Sequence, residues 1–145
     1  TQPGLDGVLR ATPFLIWWNG KVYPSLSLAT LLQAMPGVTP VLKISYGGIE
    51  SIRIGKTIIP LDENGNFWIN FPGPGKTLPY ISAADVLLDK ISPQIFKNKI
   101  VFIGTSATGL LDMRTTPLDP VYPGVEAHAA VVENILTNNF IIRPS

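Results

Sequence analysis

Apolar and polar positions change period sharply in the last third of this chain. Lys99 to Gly104 reads KIVFIG, a continuous apolar run closed by glycine, and predicts a buried strand at Ile100 to Ile103. The stretch YPGVEAHAAVVEN repeats its apolar positions every three to four residues. It predicts a helix over about Val125 to Thr137, opened by Pro123 and Gly124 and ended by Asn138-Asn139. Between them lies a polar loop with Asp112, Arg114, Thr115 and Thr116. Strand, loop and returning helix make half of a parallel α/β unit, in which ligands bind beyond the carboxyl ends of the strands.

The other elements follow the same logic. Phe14 to Trp18 and Lys21-Val22-Tyr23 flank Asn19-Gly20, a strong two-residue hairpin signal because both turn positions need positive φ. Pro24-Ser25 opens a helix over about Leu26 to Met35, with Leu28, Leu31, Leu32 and Met35 on one face and Pro36 as its stop. Ile49 to Ile54, Thr57 to Leu61 and Phe67 to Phe71 read as an antiparallel meander turning at Gly55-Lys56 and Asn64-Gly65. Pro72-Gly73-Pro74-Gly75 ends it. Ser82 to Asp89 predicts a short helix with Ser82 as cap, Asp85 at the capping-box position and Ile81 facing Val86 as a staple. Phe140 to Ile142 could return as an edge strand. The predicted fold class is α/β: one domain, a mixed sheet with flanking helices, its central strand at 100–103 and its meander at 49–71.

Composition narrows the partners. The 145 residues suit one domain with a sizeable core, and 46% are hydrophobic. Only 14% are charged, against roughly 25% in an average domain. A lightly charged surface suits contact with another domain, a second copy or a membrane interface. A net charge of +1 and the lack of any Lys/Arg cluster leave no footprint for nucleic acid. The absence of cysteine removes disulfides and every thiol-based site. No apolar run approaches the roughly 18 residues of a membrane span. The chain begins at Thr1 and reads as an excised fragment.

Candidate chemistry is sparse. Gly104-Thr105-Ser106-Ala107-Thr108-Gly109 lacks the Lys-Ser/Thr of a phosphate loop, since Leu110 and Leu111 follow. Ser106, His128 and Asp112 could form a triad on paper, but Thr105 and Ala107 replace the glycines of a nucleophile elbow. His128, the single histidine, rules out a multi-histidine metal site. It shares a helical face with Val131, Val132 and Ile135, so a half-buried, hydrogen-bonded histidine is expected. Glu126 stands in the first helical turn, where the dipole favours a carboxylate; its plain role is to stabilise that helix end, and its sharper one is to pair with Arg114 and pin loop to helix. Arg114 has Asp112 and Glu133 as alternative partners. An Asp112–Glu126 carboxylate pair for acid–base work is open but not required by spacing. Trp17, Trp18, Trp68 and Tyr80 could stack on a ligand ring, although such residues more often fill strand faces. Trp17 and Trp18 are adjacent and point to opposite faces of a strand, so one is exposed or covered by a partner.

Several of these pieces occur in an order that resembles a known family. IVFIGTSATGLLD, TTP and PGVEAHAAVVENIL are preceded by INFPGPG and ISAADVL, and further upstream by PSLSL and by Asp6-Gly7-Val8 with Arg10. The set is similar to the second type of CHASE domain, an extracytoplasmic sensor of bacterial receptors. The resemblance implies that residues 1–145 are the carboxyl-terminal portion of such a sensor, on the periplasmic side of the cell membrane. It further implies membrane helices and an upstream segment outside this chain, and a cytoplasmic nucleotide cyclase, histidine or protein kinase, or diguanylate cyclase as output. The stimulus is an unknown small molecule or protein, pairing with a second copy is plausible, and no cofactor or metal is implied. The candidate ligand residues are Thr105, Ser106, Asp112, Arg114, Thr116, Glu126 and His128. The rival expectations are a small α/β enzyme using Asp112, Glu126 and His128, and a structural periplasmic interaction module.

Overall fold

The computed structural model describes residues 6–105 and 112–142. The fold class is α/β, with several small antiparallel sheets and three α-helices among the described residues. In chain order these are β1 (Ala11–Pro13), β2 (Leu15–Trp18), β3 (Lys21–Pro24), α1 (Leu26–Ala34), β4 (Val41–Ser45), β5 (Gly48–Ile54), β6 (Thr57–Pro60), β7 (Asn66–Trp68), α2 (Ala83–Leu87), β8 (Met113–Arg114), β9 (Tyr122–Pro123) and α3 (Gly124–Leu136).

The predicted turns form. Asn19 and Gly20 take φ of 49° and 72°, which lets β2 fold back on β3. Gly55, at φ 59°, joins β5 to β6. Ser25 caps α1 by accepting a hydrogen bond from the Leu28 amide at 3.3 Å. The core gathers Leu28 and Leu31 of α1, Ile52, Ile54 and Ile59 of the meander, Phe67 of β7, and Ala127, Ala130, Val131 and Ile135 of α3. Phe67 stacks between Phe14 and Phe140, with ring centroids 5.8 and 6.2 Å away.

Several expectations are corrected. The meander runs β4-β5-β6, over residues 41–60, rather than over 49–71. The Asn64-Gly65 turn releases β7 from it, and β7 pairs with β1, Phe67 opposite Thr12. Turn chemistry announces that a chain reverses; it does not say which strand it reverses onto. The single mixed sheet is replaced by four separate antiparallel ones, and a lone bridge between Val8 and Thr115 is the parallel contact among the described residues.

The largest correction concerns Ile100 to Ile103, which is neither a strand nor central. Phe102 leans on the core, while Val101 is 53% and Ile103 94% exposed. An apolar run becomes a central strand only if other strands flank both of its edges, and among the described residues none is laid beside it. The segment does run along the start of α3: a Cβ on Gly104 would stand 2.5 Å from that of Val125. The helix near Ser82 is not packed on a sheet either. It shortens to α2, buries nothing, and lacks the Ser82 side-chain cap, and Asp85 pairs with Lys90 instead. Ile81 and Val86, the expected staple, are both 38% exposed. Phe140 to Ile142 form no strand among the described residues.

Candidate functional site

The first turn of α3 is where separate pieces of the sequence converge. Gly124 can begin the helix there because it has no side chain; a Cβ would collide with the Asp112 carboxylate. Its amide donates to the Asp112 carbonyl at 2.7 Å, which fixes the end of the polar loop on the helix. Arg114 lies on β8 opposite Tyr122 of β9, and its guanidinium stands 3.5 Å from the Asp112 carboxylate. Of the three partners expected for Arg114, Asp112 is the one the structure supplies as an ion pair. Both side chains remain about one-third exposed or more, so the pair is screened and weak.

The amino-terminal motif reaches the same loop. Asp6 accepts from the Val8 amide and pairs with Arg10 at 2.8 Å, which holds its carboxyl down at about 2. That local turn presents Leu9, whose amide donates to the Thr115 carbonyl at 2.7 Å. Thr116 is buried and folds onto Asp119: its hydroxyl accepts from the Asp119 amide and donates to the Asp119 carbonyl. In this structure Thr116 shapes a turn.

Glu126 departs from expectation. It is 2% exposed and does not pair with Arg114. Its carboxylate accepts from the Lys76 amide at 2.7 Å, the Leu78 amide at 3.1 Å and the Tyr80 hydroxyl at 2.8 Å. Buried carboxylates must be paired or multiply hydrogen-bonded, and this one uses the loop after the Pro-Gly stretch. Asp119 secures the same loop by accepting from the Gly75 amide at 2.8 Å. Burial and the neighbouring Glu126 charge push the Tyr80 hydroxyl well above its ordinary pKa, so it stays a donor. Tyr122 is buried beside this clamp, and its hydroxyl has no hydrogen-bond partner among the described residues.

His128 is half-buried, and its Nδ1 lies 3.1 Å from the hydroxyl of Ser27, a fully buried residue of α1. Burial lowers its pKa, partly offset by Asp112. The histidine therefore joins α3 to α1, as its place on the apolar face predicts. Thr105 is exposed at the end of the 100–104 segment, and Ser106 lies outside the described residues. Of the seven candidates, Asp112, Arg114 and Glu126 are gathered around the first turns of α3. Thr116 and His128 are committed to structural bonds.

A second polar place lies at the other end of α3. An open cleft of about 570 Å³ is lined by Asn70, Phe71, Pro72, Glu133, Asn134 and residues 137–139. Asn134 closes it from below: its Oδ1 accepts from the Asn70 amide and its Nδ2 donates to the Asn70 carbonyl, both at 2.9 Å. Asn70 Nδ2 donates in turn to Asn139 Oδ1 at 2.8 Å. Sequence reasoning missed this arrangement. The available signal was Asn134 itself, a carboxamide between Val131 and Ile135 on a buried face, which has to find a partner. Among the described residues no group of three or more His, Cys, Asp or Glu could hold a metal ion.

No helix among the described residues is long and apolar enough to cross a membrane. No curated protein and no solved structure matches the chain. The family model for the CHASE2 domain matches residues 1–145, from the Asp6–Arg10 turn through the α3 junction. The pieces that converge on α3 are thus those of one family, and the chain belongs to the CHASE2 domains, which are extracellular sensor domains.

Proposed function

We propose that this domain is the extracytoplasmic sensing part of a bacterial transmembrane receptor. Of the candidate residues, a stimulus engages the exposed charged pair Asp112 and Arg114 at the start of α3, with Thr105 beside it, while Thr116, Glu126 and His128 hold that surface from within. The response leaves through α3 toward membrane helices and a cytoplasmic cyclase, kinase or diguanylate cyclase. The observation that carries this reading is the family match over the whole chain. CHASE2 domains sense rather than catalyse, so turnover belongs to the output and not to this domain. The geometry supports the route. Asp112 and Arg114 leave charged groups open to solvent at the start of α3. Glu126 ties the 76–80 loop to the same turn, so contact with either loop bears on one helix.

A stimulus can shift the helix only by binding one arrangement more tightly than another. Coupling of about 1–3 kcal/mol gives a usable response. The test uses the receptor with its membrane helices and output domain, and measures output with and without stimulus. Asp112→Asn together with Arg114→Gln should raise the stimulus concentration needed, and a flexible Gly-Ser insertion after Asn139 should uncouple output from stimulus. A response unchanged by the insertion would exclude the route through α3. A response unchanged by the double substitution would move the stimulus site elsewhere.

A further inference from the structure

The hairpin β2–β3 is exposed along most of its length and carries large apolar side chains up to the residue before its Asn19-Gly20 turn. Its base is fixed: Phe14 is fully buried, and the Ser25 amide donates to the Phe14 carbonyl at 3.0 Å. From there exposure rises through Ile16 at 44% to Trp17 at 73% and Trp18 at 72%. Register places Trp17 beside Val22 on one face, and Ile16 beside Tyr23 and Trp18 beside Lys21 on the other. Val22 and Tyr23 are each 45% exposed, so neither face is covered. The turn itself is polar, Asn19-Gly20 followed by Lys21, but two adjacent tryptophans on opposite open faces just before it form an exposed apolar patch that calls for another medium than water.

We infer that this hairpin docks into the interface of an anionic phospholipid bilayer. A protein surface covers one face of a two-stranded ribbon, whereas a lipid interface surrounds both at once. Trp and Tyr are the side chains that settle at that interface, with rings among the acyl boundary and N–H or O–H groups toward water. The charge pattern agrees. No acidic residue occurs between Asp6 and Glu50, while Arg10, Lys21 and Lys43 fall in that stretch. Arg10 and Lys43 are engaged by Asp6 and Glu50, which leaves the Lys21 ammonium for lipid phosphate. Dimensions agree too. A four-residue strand spans roughly 13 Å, enough to pass a headgroup layer of about 5–8 Å and no more. The open strand edges forbid deeper entry, because their backbone groups would go unbonded in hydrocarbon. Lys21 can bend its stem back to the headgroups from there. The inference concerns the domain alone and holds or fails apart from the signalling route.

The test uses the full 145-residue chain with vesicles of phosphatidylglycerol and phosphatidylethanolamine, and with vesicles of phosphatidylcholine alone. The chain should co-sediment with the anionic vesicles, with its tryptophan emission shifted to the blue. Lipids brominated near the headgroup end of the acyl chain should quench that emission more than lipids brominated near the methyl end. Trp17→Ser with Trp18→Ser should lower partitioning at least roughly tenfold while leaving circular dichroism unchanged. Lys21→Glu should weaken binding to anionic vesicles more than to neutral ones. Failure to co-sediment, or partitioning that survives the double serine substitution, overturns the inference. So does a lipid-free dimer that the double substitution abolishes in a chain that ignores vesicles, since the hairpin would then be a protein contact.

Discussion

Helix α3 and the stretch 79–105 are built from similar proportions of apolar residues and end in opposite states. Eight of the thirteen residues of α3 are buried, including the polar Glu126 and Asn134. Nothing between 79 and 105 is buried, although Ile81, Val86, Leu87, Leu88, Ile95, Val101 and Ile103 all lie there. The difference is not one of local propensity, since both regions carry sound helix or strand patterns. It lies in neighbours: α3 meets α1, β9 and the loops that Glu126 and Asp112 hold, while 79–105 touches α3 where the Tyr80 hydroxyl reaches Glu126 and where Gly104 passes Val125, and buries no residue there. Apolar content marks what can be buried, and long-range contact determines what is.

The sharpest way to break that contrast is to cut apolar side chains in both regions. Phe67→Ala removes a ring that is 1% exposed and flanked by Phe14 and Phe140, and should cost about 3–5 kcal/mol in urea unfolding. Leu87→Ala, at 84% exposure, should stay within about 0.5 kcal/mol. Should Leu87→Ala destabilise as strongly as a core change, residues 79–105 are packed in solution and the contrast fails.

The same contrast explains what the sequence made legible. Several elements decided within a few residues are legible: the Asn19-Gly20 hairpin, the Gly55 turn, α1 opening at Pro24-Ser25, and α3 to within a residue, while the Ser82 capping box and its staple, equally local, do not form. Elements that need a distant partner are not legible. The 100–103 run looks like a central strand because burial on both faces and exposure without partners leave the same residues in the sequence. The strand at 67 joins a different sheet from the one its local turn suggests, because its partner, Ala11–Pro13, lies more than fifty residues away. At the candidate site, His128 was legible because a lone polar residue on an apolar face has to be bonded. Glu126 was not, because the choice between Arg114 and two amides of a distant loop leaves no trace in local spacing.

Glu126 gives the next test, of intermediate size. Its carboxylate is acceptor-only, and it faces two amide donors and the Tyr80 hydroxyl. Glu126→Gln keeps the shape but turns one oxygen into an NH₂ group that confronts a donor. Stability should fall by about 1–3 kcal/mol, with hydrogen exchange faster at the Lys76 and Leu78 amides than elsewhere in the chain. Unchanged exchange at those two amides would mean that the 72–80 loop is held by Asp119 alone. It would then belong with the open stretch rather than with α3.

The smallest effect is a pH dependence carried by His128, which tests how firmly α3 is joined to α1. Burial lowers the imidazole pKa below its ordinary 6.5, and Asp112 only partly opposes this. Between the lowered value and 6.5 the unfolded chain binds a proton that the folded chain refuses, so stability rises with pH across that interval. The contribution is therefore complete above about pH 6.5 and is lost as pH falls through the folded value. The other groups with shifted values move away from that interval. Asp6 titrates at about 2, the Glu50 and Asp119 carboxyls are lowered, and Tyr80 and Tyr122 are raised far above it. Urea midpoints at pH 7, 6 and 5 should fall for the natural chain. They should fall less for His128→Asn, whose carboxamide can still meet the Ser27 hydroxyl but takes no proton. Equal slopes for the two proteins would mean that the imidazole accepts its proton without disturbing the α1–α3 contact. The Ser27–His128 bond would then be incidental to the packing that separates α3 from the exposed stretch.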